Sequence, residues 1–188
     1  MNILFVSNFY AKYQASNAKE LIEFIDGYAE SDIDNSEFSW GDLCSSNKIP
    51  LGAASIGSKV SEFTSLLKPN LDLFANKLDL NFNYRIDDAW INLYKIGDHQ
   101  EIHSHYPSHM SCVFFANSGE GFSKLYLRDR NNTNIHPRVA NLVGYRDEHI
   151  IDYKEGDILF FPGGMLHGVS PHNSSVVRKT LSFNFDIV

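Results

Sequence analysis

The sequence predicts a mainly β protein with supporting helices, organised as one domain over residues 1–188. After residue 81 the chain consists of short apolar runs separated by turn residues, which is typical of an antiparallel sandwich or small barrel. Before that point, apolar residues recur at helical spacing in two segments. A length of 188 residues suits a single domain with a substantial core. We therefore assign helical support to about 1–80 and the β core to about 82–188.

Composition and charge exclude several classes of protein. Hydrophobic residues make up 43% of the chain and aromatic residues 13%, which is typical of a globular fold. The net charge of -7 argues against sequence-independent binding of nucleic acid, which needs a basic surface. No apolar run approaches the roughly 18 residues that span a bilayer, so we expect no membrane association. Two cysteines without a C-x-x-C motif indicate a reducing, cytoplasmic location.

The first half of the chain predicts one strand and two helices. Residues 3–6, ILFV, predict a buried strand, and a helix is predicted from Ser16, with Ser16 or Asn17 as its cap. Residues 31–57 are rich in Ser, Asn, Asp and Gly and predict an irregular loop. A second helix is predicted over about 58–78, and Pro69 should kink or break it because proline lacks the N–H of a helical residue.

The second half predicts a series of strands. In AWINLYKIG, alternation puts Trp90, Asn92 and Tyr94 on one face. Five further runs predict strands: MSCVFFA, SKLYLRD, HIIDY, DILFFPG and KTLSFNFDIV.

Three histidines form the candidate site. His103 and His105 lie two residues apart, so on an extended strand their imidazoles point to the same side. His167 follows a Pro-Gly-Gly turn at the end of GDILFFPGGMLH, where glycines let the backbone approach a neighbour closely. An H-x-H pair alone is common on surfaces, so the prediction of a metal site depends on its combination with the third histidine. Three ligands on one side of an ion leave positions open for substrate, which is typical of catalytic sites.

The segments AWINLYKIGDHQEIHSHYPSHMSCVFF, GDILFFPGGMLHGV and RKTLSFN together resemble the Fe(II)- and 2-oxoglutarate-dependent oxygenases of bacteria and phages. The resemblance covers residues 89 to 185, about half of the chain. It implies a double-stranded β-helix, which is the jelly roll shared with the cupins. It also implies a dioxygenase that uses Fe(II) and 2-oxoglutarate to hydroxylate a substrate, either a small molecule or a peptide, that the sequence does not identify.

The resemblance implies that His103, His105 and His167 bind the Fe(II). Most members of the wider superfamily have H-x-D in place of H-x-H, so the second ligand is usually a carboxylate. Here it is an imidazole, as in the particular family that the sequence resembles. Three neutral imidazoles leave the ion more positive than two imidazoles and a carboxylate would, so other divalent metals can also bind.

The resemblance also implies a set of contacts to 2-oxoglutarate. Arg178 lies eleven residues after the third histidine, the spacing at which the superfamily places an arginine on the distal carboxylate. A guanidinium binds a carboxylate through two parallel hydrogen bonds. Thr180 points to the same side of that strand and adds a hydroxyl, and the remaining contacts are assigned to Asn92, Tyr94 and Ser111.

One departure from the family concerns an aromatic pair. The family carries tyrosines where this chain has Phe114 and Phe115, which lack hydroxyls. If a tyrosine there contacts the cosubstrate in the family, another donor must act here, and Tyr126 is one candidate.

Two alternative functions stay open at this point. A cupin-type metal protein that does not use 2-oxoglutarate fits the H-x-H motif and the PGGMLH segment, but the glutamate expected after H-x-H is absent, with His109 and Met110 at those positions. A cupin would also leave Arg178 unexplained. The second alternative is a jelly-roll binding module with incidental histidines. Oligomeric state is likewise open, with a homodimer as one option.

Overall fold

The computed structural model describes residues 8–27, 44–49, 58–79, 82–129 and 136–188. In chain order the described residues form β1 (Ala11–Gln14), α1 (Ala18–Asp26), β2 (Ser45–Ile49), α2 (Ser58–Lys77), β3 (Tyr84–Tyr94), β4 (Gln100–His103), β5 (Met110–Phe115), β6 (Leu125–Arg128), α3 (Pro137–Val143), β7 (Glu148–Ile150), β8 (Asp157–Pro162), β9 (Leu166–Val169) and β10 (Arg178–Ile187).

The strands form two antiparallel sheets. The larger has the order β1-β8-β5-β10-β3-β2, and the smaller has the order β4-β9-β6-β7. The sheets face each other across a cluster of buried side chains that includes Phe115 and Phe161 from the larger sheet and Leu125 and Leu127 from the smaller. Two antiparallel sheets packed in this way form the predicted jelly roll.

The two long helices cover the outer face of the larger sheet. Leu21 and Ile25 of α1 and Phe74 of α2 are buried in the same cluster as residues of β8 and β10. The ring of Phe74 stacks on Phe160 of β8, with centroids 4.5 Å apart. Burial of such large apolar side chains is the main favourable term in holding the helices to the sheet.

Strand β10 separates the two sides of the larger sheet. Its odd-numbered residues face the helices and its even-numbered residues face the interior between the sheets, because side chains alternate along a strand. The outward set belongs to the helix-covered cluster: Leu181, Phe183 and Phe185. The inward set is polar and buried: Arg178, Thr180, Ser182 and Asn184.

The prediction that Pro69 breaks the second helix is wrong. Helix α2 is continuous through Pro69. Phe63 and Leu67 before the proline, and Leu71 and Phe74 after it, are all fully buried. Their packing against one surface offsets the roughly 3 kcal/mol that an interior proline costs a helix.

Asn17 is the N-cap of α1, as predicted, but its side chain makes no capping hydrogen bond. Its Nδ2 instead donates to the carbonyl of Leu66 over 2.8 Å, and its Oδ1 accepts from Nδ2 of Asn70 over 2.6 Å. Asn70 Oδ1 accepts from the main-chain N–H of Ser16 over 3.0 Å. The two helices are therefore joined by a buried amide network at the start of α1.

The strands predicted in the second half are all present, as β3, β5, β6, β7, β8 and β10. The loop predicted over 31–57 is wrong at residues 45–49, where β2 pairs antiparallel with β3. The sequence of β2, SSNKI, lacks apolar alternation, and main-chain pairing to the edge of β3 forms the strand. Helix α3 was likewise unpredicted, and the strand predicted at residues 3–6 lies outside the described residues. Within the part of the chain described, no helix is long and apolar enough to cross a membrane.

Candidate functional site

The three predicted histidines converge between the two sheets. His103 ends β4 and is the cross-strand partner of His167 on β9. Their ring centroids are 4.2 Å apart, and the ring of His105 lies 5.1 Å from that of His103 and 5.0 Å from that of His167. One candidate ligand atom from each residue lies within 4.8 Å of the other two. The spacing allows all three imidazoles to reach one ion.

His105 is not on the strand that was predicted to carry it, since β4 ends at His103. Its position is fixed by the turn after β8. The N–H of His105 donates to the carbonyl of Gly163 over 2.8 Å, and the N–H of Gly163 donates to the carbonyl of His109 over 2.9 Å. A Cβ on Gly163 would lie within 2.1 Å of the carbonyl oxygen of Ser108. The predicted close approach of a glycine in this turn is therefore confirmed at Gly163.

The protein environment keeps the three imidazoles neutral. Burial lowers the pKa of His103 and, together with the nearby His103, lowers that of His105 to about 4. Burial and both neighbouring imidazoles hold the pKa of His167 well below its usual value. Nδ1 of His103 lies 2.7 Å from the Glu101 carbonyl, and Nδ1 of His167 lies 3.0 Å from the Met165 carbonyl. These acceptors favour the tautomer with the lone pair on Nε2, which is the form that binds a metal.

Arg178 lines the same cavity and is almost completely buried. Its guanidinium carbon is 4.5 Å from the ring centroid of Tyr94, 5.3 Å from Tyr153 and 5.6 Å from Phe115. Its Nε donates to the hydroxyl of Tyr153 over 2.8 Å. Among the described residues, Nη1 of Arg178 and Oγ1 of Thr180 are buried without a hydrogen-bond partner. A buried charge without an acidic partner is costly, so this pair of donors fits an anion such as a carboxylate.

Polar and apolar side chains together line the cavity that the histidines and Arg178 share. The predicted face of β3 is confirmed, because Trp90, Asn92 and Tyr94 all line the cavity. They are the cross-strand partners of Ser182, Thr180 and Arg178, respectively.

Two hydrogen-bonded pairs fix the amides in this lining. Asn92 Oδ1 accepts from Ser46 Oγ over 2.6 Å, and Asn184 Oδ1 accepts from Ser111 Oγ over 2.8 Å. The eight residues predicted from the sequence therefore line one cavity: Asn92, Tyr94, His103, His105, Ser111, His167, Arg178 and Thr180.

Tyr126 is the tyrosine named above as one candidate for a further donor to the cosubstrate. Tyr126 does not line this cavity, and a Cβ added to Gly168 would lie 2.5 Å from its hydroxyl. Tyr126 alternates with the buried Leu125 and Leu127 along β6 and faces away from them. Besides Tyr94, a tyrosine outside this lining contacts Arg178: Tyr153, whose ring stacks on Phe115 with centroids 4.0 Å apart.

A second cavity, of about 190 Å³, lies beyond the histidines. Leu127, one of its lining residues, is the cross-strand partner of His167 and so shares its face of the sheet. Met165, two residues from His167, also lines this cavity, and Tyr10 and Arg146 are found on its outer part. Leu127 and Met165 thus link the second cavity to His167, one across the strand pair and one along the chain.

The donor set fits a metal and an anionic cosubstrate together. Three neutral imidazoles on one side of an ion leave further positions open, which suits Fe(II) bound with a small chelating ligand. The partnerless donors of Arg178 and Thr180 suit a carboxylate at the far end of such a ligand.

Comparisons with known proteins agree with this fit. The model of the family described as 2OG-Fe(II) oxygenase, where 2OG is 2-oxoglutarate, matches residues 88–184, just over half of the chain. A search of curated proteins gave no match.

Solved structures with the same fold include a 2OG-Fe(II) oxygenase-family oxidoreductase from Burkholderia pseudomallei. Its TM-score is 0.69 at 11% identity, over 94% of this chain and 84% of that one. A Pseudomonas putida prolyl-4-hydroxylase has a TM-score of 0.61 at 15% identity, over 96% and 93%. The viral collagen prolyl hydroxylase of Paramecium bursaria Chlorella virus-1, solved with 2OG, has a TM-score of 0.61 at 12% identity, over 97% of both chains.

At these identities the likeness to solved structures shows the jelly-roll fold, and the family match over the histidine and arginine segments disfavours the cupin and the binding module. The chain belongs to the 2OG-Fe(II) oxygenase family, whose metal is Fe(II) and whose cosubstrate is 2-oxoglutarate.

Proposed function

We propose that this oxygenase hydroxylates its substrate with His103, His105 and His167 as the iron ligands and Arg178 as the anchor of 2-oxoglutarate. The observation that carries the proposal is the arrangement around one cavity of three neutral imidazoles and a buried guanidinium that makes no ion pair with an acidic side chain among the described residues. When iron and 2-oxoglutarate are bound, they supply the oxidising chemistry by which O₂ converts a substrate C–H to C–OH while 2-oxoglutarate becomes succinate and CO₂.

The protein's own contribution begins with charge. Neutral imidazoles bind a divalent metal without first losing a proton, because burial lowers the pKa of all three histidines. The guanidinium of Arg178 and the hydroxyl of Thr180 bind the distal carboxylate of the cosubstrate. The distance between the histidine cluster and Arg178 then orients the cosubstrate along the cavity.

The remaining predicted residues shape the cavity. Tyr94 covers the guanidinium with its ring and excludes water from it. Asn92 and Ser111 present polar groups whose positions are fixed by Ser46 and Asn184. We assign these side chains to orienting the cosubstrate and the substrate.

The second cavity is the region we assign to the substrate, which is either a small molecule or a peptide. It adjoins the histidine cluster through Leu127 and Met165. Aromatic and charged side chains line it together, including Tyr10 and Arg146. A mixed lining of this kind binds an apolar body and orients a polar group.

We also propose a cytoplasmic location and a single functional domain. Free thiols at Cys44 and Cys112 support the location. The packing of α1 and α2 on the sheet that contains β10 supports the single domain.

The test separates metal binding from cosubstrate binding. The variant Arg178→Ala should lose 2-oxoglutarate-dependent succinate formation while keeping its affinity for Fe(II), measured by anaerobic titration. The variant His105→Ala should lose metal affinity. Lys179→Ala is the matched control, because Lys179 lies next to Arg178 on β10 but contacts Asp26 at the surface. Succinate formation that persists in Arg178→Ala would rule out the anchor.

A further inference from the structure

We propose that Tyr153 is a positioning residue that fixes the guanidinium of Arg178 and thereby sets the length of 2-oxo dicarboxylate that the enzyme accepts. The inference rests on the proposed role of Arg178 as the anchor of the distal carboxylate. Tyr153 reaches the cosubstrate only through Arg178, so it does not take part in the chemistry.

The hydroxyl of Tyr153 is held from two sides. It accepts from Nε of Arg178 over 2.8 Å and donates to the carbonyl of Ser123 over 2.9 Å. The ring of Tyr153 stacks on Phe115, with an interplanar angle of 12°. Because the stack fixes the ring and a main-chain carbonyl takes the proton, the hydroxyl is a rigid acceptor for the guanidinium.

This hydrogen bond determines which edge of the guanidinium meets the cosubstrate. Nε is used by Tyr153, so the Nε edge no longer offers two parallel donors to a carboxylate. Nη1 is buried and has no hydrogen-bond partner among the described residues. The terminal edge that includes Nη1 is therefore the part available to an anion.

Tyr94 interacts with Arg178 through its hydroxyl as well as through its ring face, and Phe115 through its ring face alone. The rings of Tyr94 and Phe115 lie 4.5 Å and 5.6 Å from the guanidinium carbon. Contacts with ring faces limit the tilt of the guanidinium plane but constrain movement within that plane only weakly. The directional bond to the Tyr153 hydroxyl supplies the constraint along the cavity.

A fixed guanidinium sets a fixed length. The histidines are held by β4, β9 and the turn at Gly163, and Arg178 begins β10. The space between the two ends of the cavity then fits a dicarboxylate of one chain length. A homologue with one more methylene, such as 2-oxoadipate, requires Arg178 to move away from the histidines, which the bond to Tyr153 opposes.

The test measures equilibrium binding to the Mn(II)-loaded protein, so it does not depend on turnover. Dissociation constants for 2-oxoglutarate and 2-oxoadipate are determined by calorimetry in the wild type and in Tyr153→Phe. This variant removes the hydroxyl alone and keeps the stack on Phe115. We expect Tyr153→Phe to bind 2-oxoglutarate roughly fivefold to tenfold more weakly than the wild type does. The ratio of the 2-oxoadipate to the 2-oxoglutarate dissociation constant should fall by about tenfold, a typical value for one methylene.

The control is Tyr13→Phe. Tyr13 also donates its hydroxyl to a main-chain carbonyl, that of Asn70, over 2.8 Å, but it packs in the helix-covered cluster. Its removal should leave both dissociation constants and their ratio unchanged. Mn(II) affinity should be the same in both variants and the wild type, because Tyr153 bonds to Arg178 and to the Ser123 carbonyl, and Tyr13 packs in the helix-covered cluster.

The outcomes separate this inference from the proposed function. Unchanged constants in Tyr153→Phe, or an equal weakening for both dicarboxylates, would overturn the positioning role. If Arg178→Ala abolishes 2-oxoglutarate binding in the same assay, the anchor stands whatever Tyr153→Phe shows. If Arg178→Ala still binds 2-oxoglutarate at wild-type affinity, the anchor itself is wrong and the inference about Tyr153 fails with it.

Discussion

Among single residues, Gly163 shows how tightly the main chain packs beside the candidate metal ligands. It both accepts from the N–H of His105 and donates to the carbonyl of His109, so it holds the segment that carries the second imidazole. A Cβ at this position would meet main-chain atoms of Ser108, which cannot move aside as the end of a side chain could. The next residue, Gly164, has no heavy atom within 4 Å of an added Cβ.

The substitution Gly163→Ala should therefore displace His105 and weaken metal binding by on the order of tenfold, as loss of a group that orients a ligand commonly does. Gly164→Ala should bind metal as the wild type does. Both affinities are measured by anaerobic titration with Fe(II). Equal affinities for the two variants would mean that the Gly163 turn does not orient His105.

The sequence predicted residues that line one cavity, including the proposed ligands and anchor, but missed Tyr153, for a physical reason. The H-x-H spacing and the Pro-Gly-Gly turn pointed to these histidines, but their convergence depends on the pairing of β4 with β9 and on the turn at Gly163 that holds His105. Tyr153 contacts Arg178 through a pairing of residues 25 apart, and nothing in the sequence around Tyr153 marks it. Long-range side-chain contacts of this kind depend on tertiary packing, which the periodicity of the sequence does not predict.

At the scale of elements, the join between α1 and α2 depends on Asn70. The side chain is fully buried, donates to Asn17 and accepts from the N–H of Ser16. Since it follows Pro69 directly, it ties the central part of α2 to the start of α1. Buried amides with satisfied hydrogen bonds fix one arrangement of two helices among several that apolar contacts alone would permit.

Replacing Asn70 by Ala should lower the free energy of unfolding by about 2 kcal/mol, because this fully buried side chain is the hydrogen-bond partner of the Ser16 N–H and of the Asn17 amide. Urea unfolding followed by circular dichroism measures the change. Asn76→Ala, on an exposed position of the same helix, should stay within about 0.5 kcal/mol of the wild type. A similar loss in both variants would show that the effect does not come from the hydrogen bonds of Asn70, since alanine has the higher helix propensity.

Element prediction succeeded where apolar patterning was strong and failed where tertiary contacts decide. The strands of the second half carry such patterns and were found. Pro69 was expected to break a helix, and packing on both sides of it keeps that helix continuous. Strand β2 is formed by pairing with β3, so its polar sequence gave no signal.

For the whole molecule, binding at the cavity is linked to global stability. The cavity is lined by residues of both sheets, with β3, β5 and β10 on one side and β4 and β9 on the other. A metal and a cosubstrate held between them bind the folded state alone. Each bound ligand then adds to the free energy of unfolding in proportion to the logarithm of its excess over the dissociation constant.

Thermal unfolding should follow an order of addition. Mn(II) alone should raise the Tm, 2-oxoglutarate alone should leave it unchanged, and 2-oxoglutarate added to the Mn(II)-loaded protein should raise it further. At a hundredfold excess over Kd the second step is worth about 2.7 kcal/mol, or roughly 5–10 °C for a chain of this size. A shift with metal and no further shift with saturating 2-oxoglutarate is the behaviour of a cupin and would contradict the cosubstrate assignment.

Strand β10 has one further consequence, for how such an enzyme can diversify. The inward residues of β10 line the cavity, and the outward residues, which alternate with them along the strand, pack against the helices. A single-residue insertion or deletion in β10 would place apolar side chains on the cavity face and polar side chains on the face that packs against the helices. New preferences for what is hydroxylated must therefore arise in the connecting segments at the rim, while this strand stays as a common backbone.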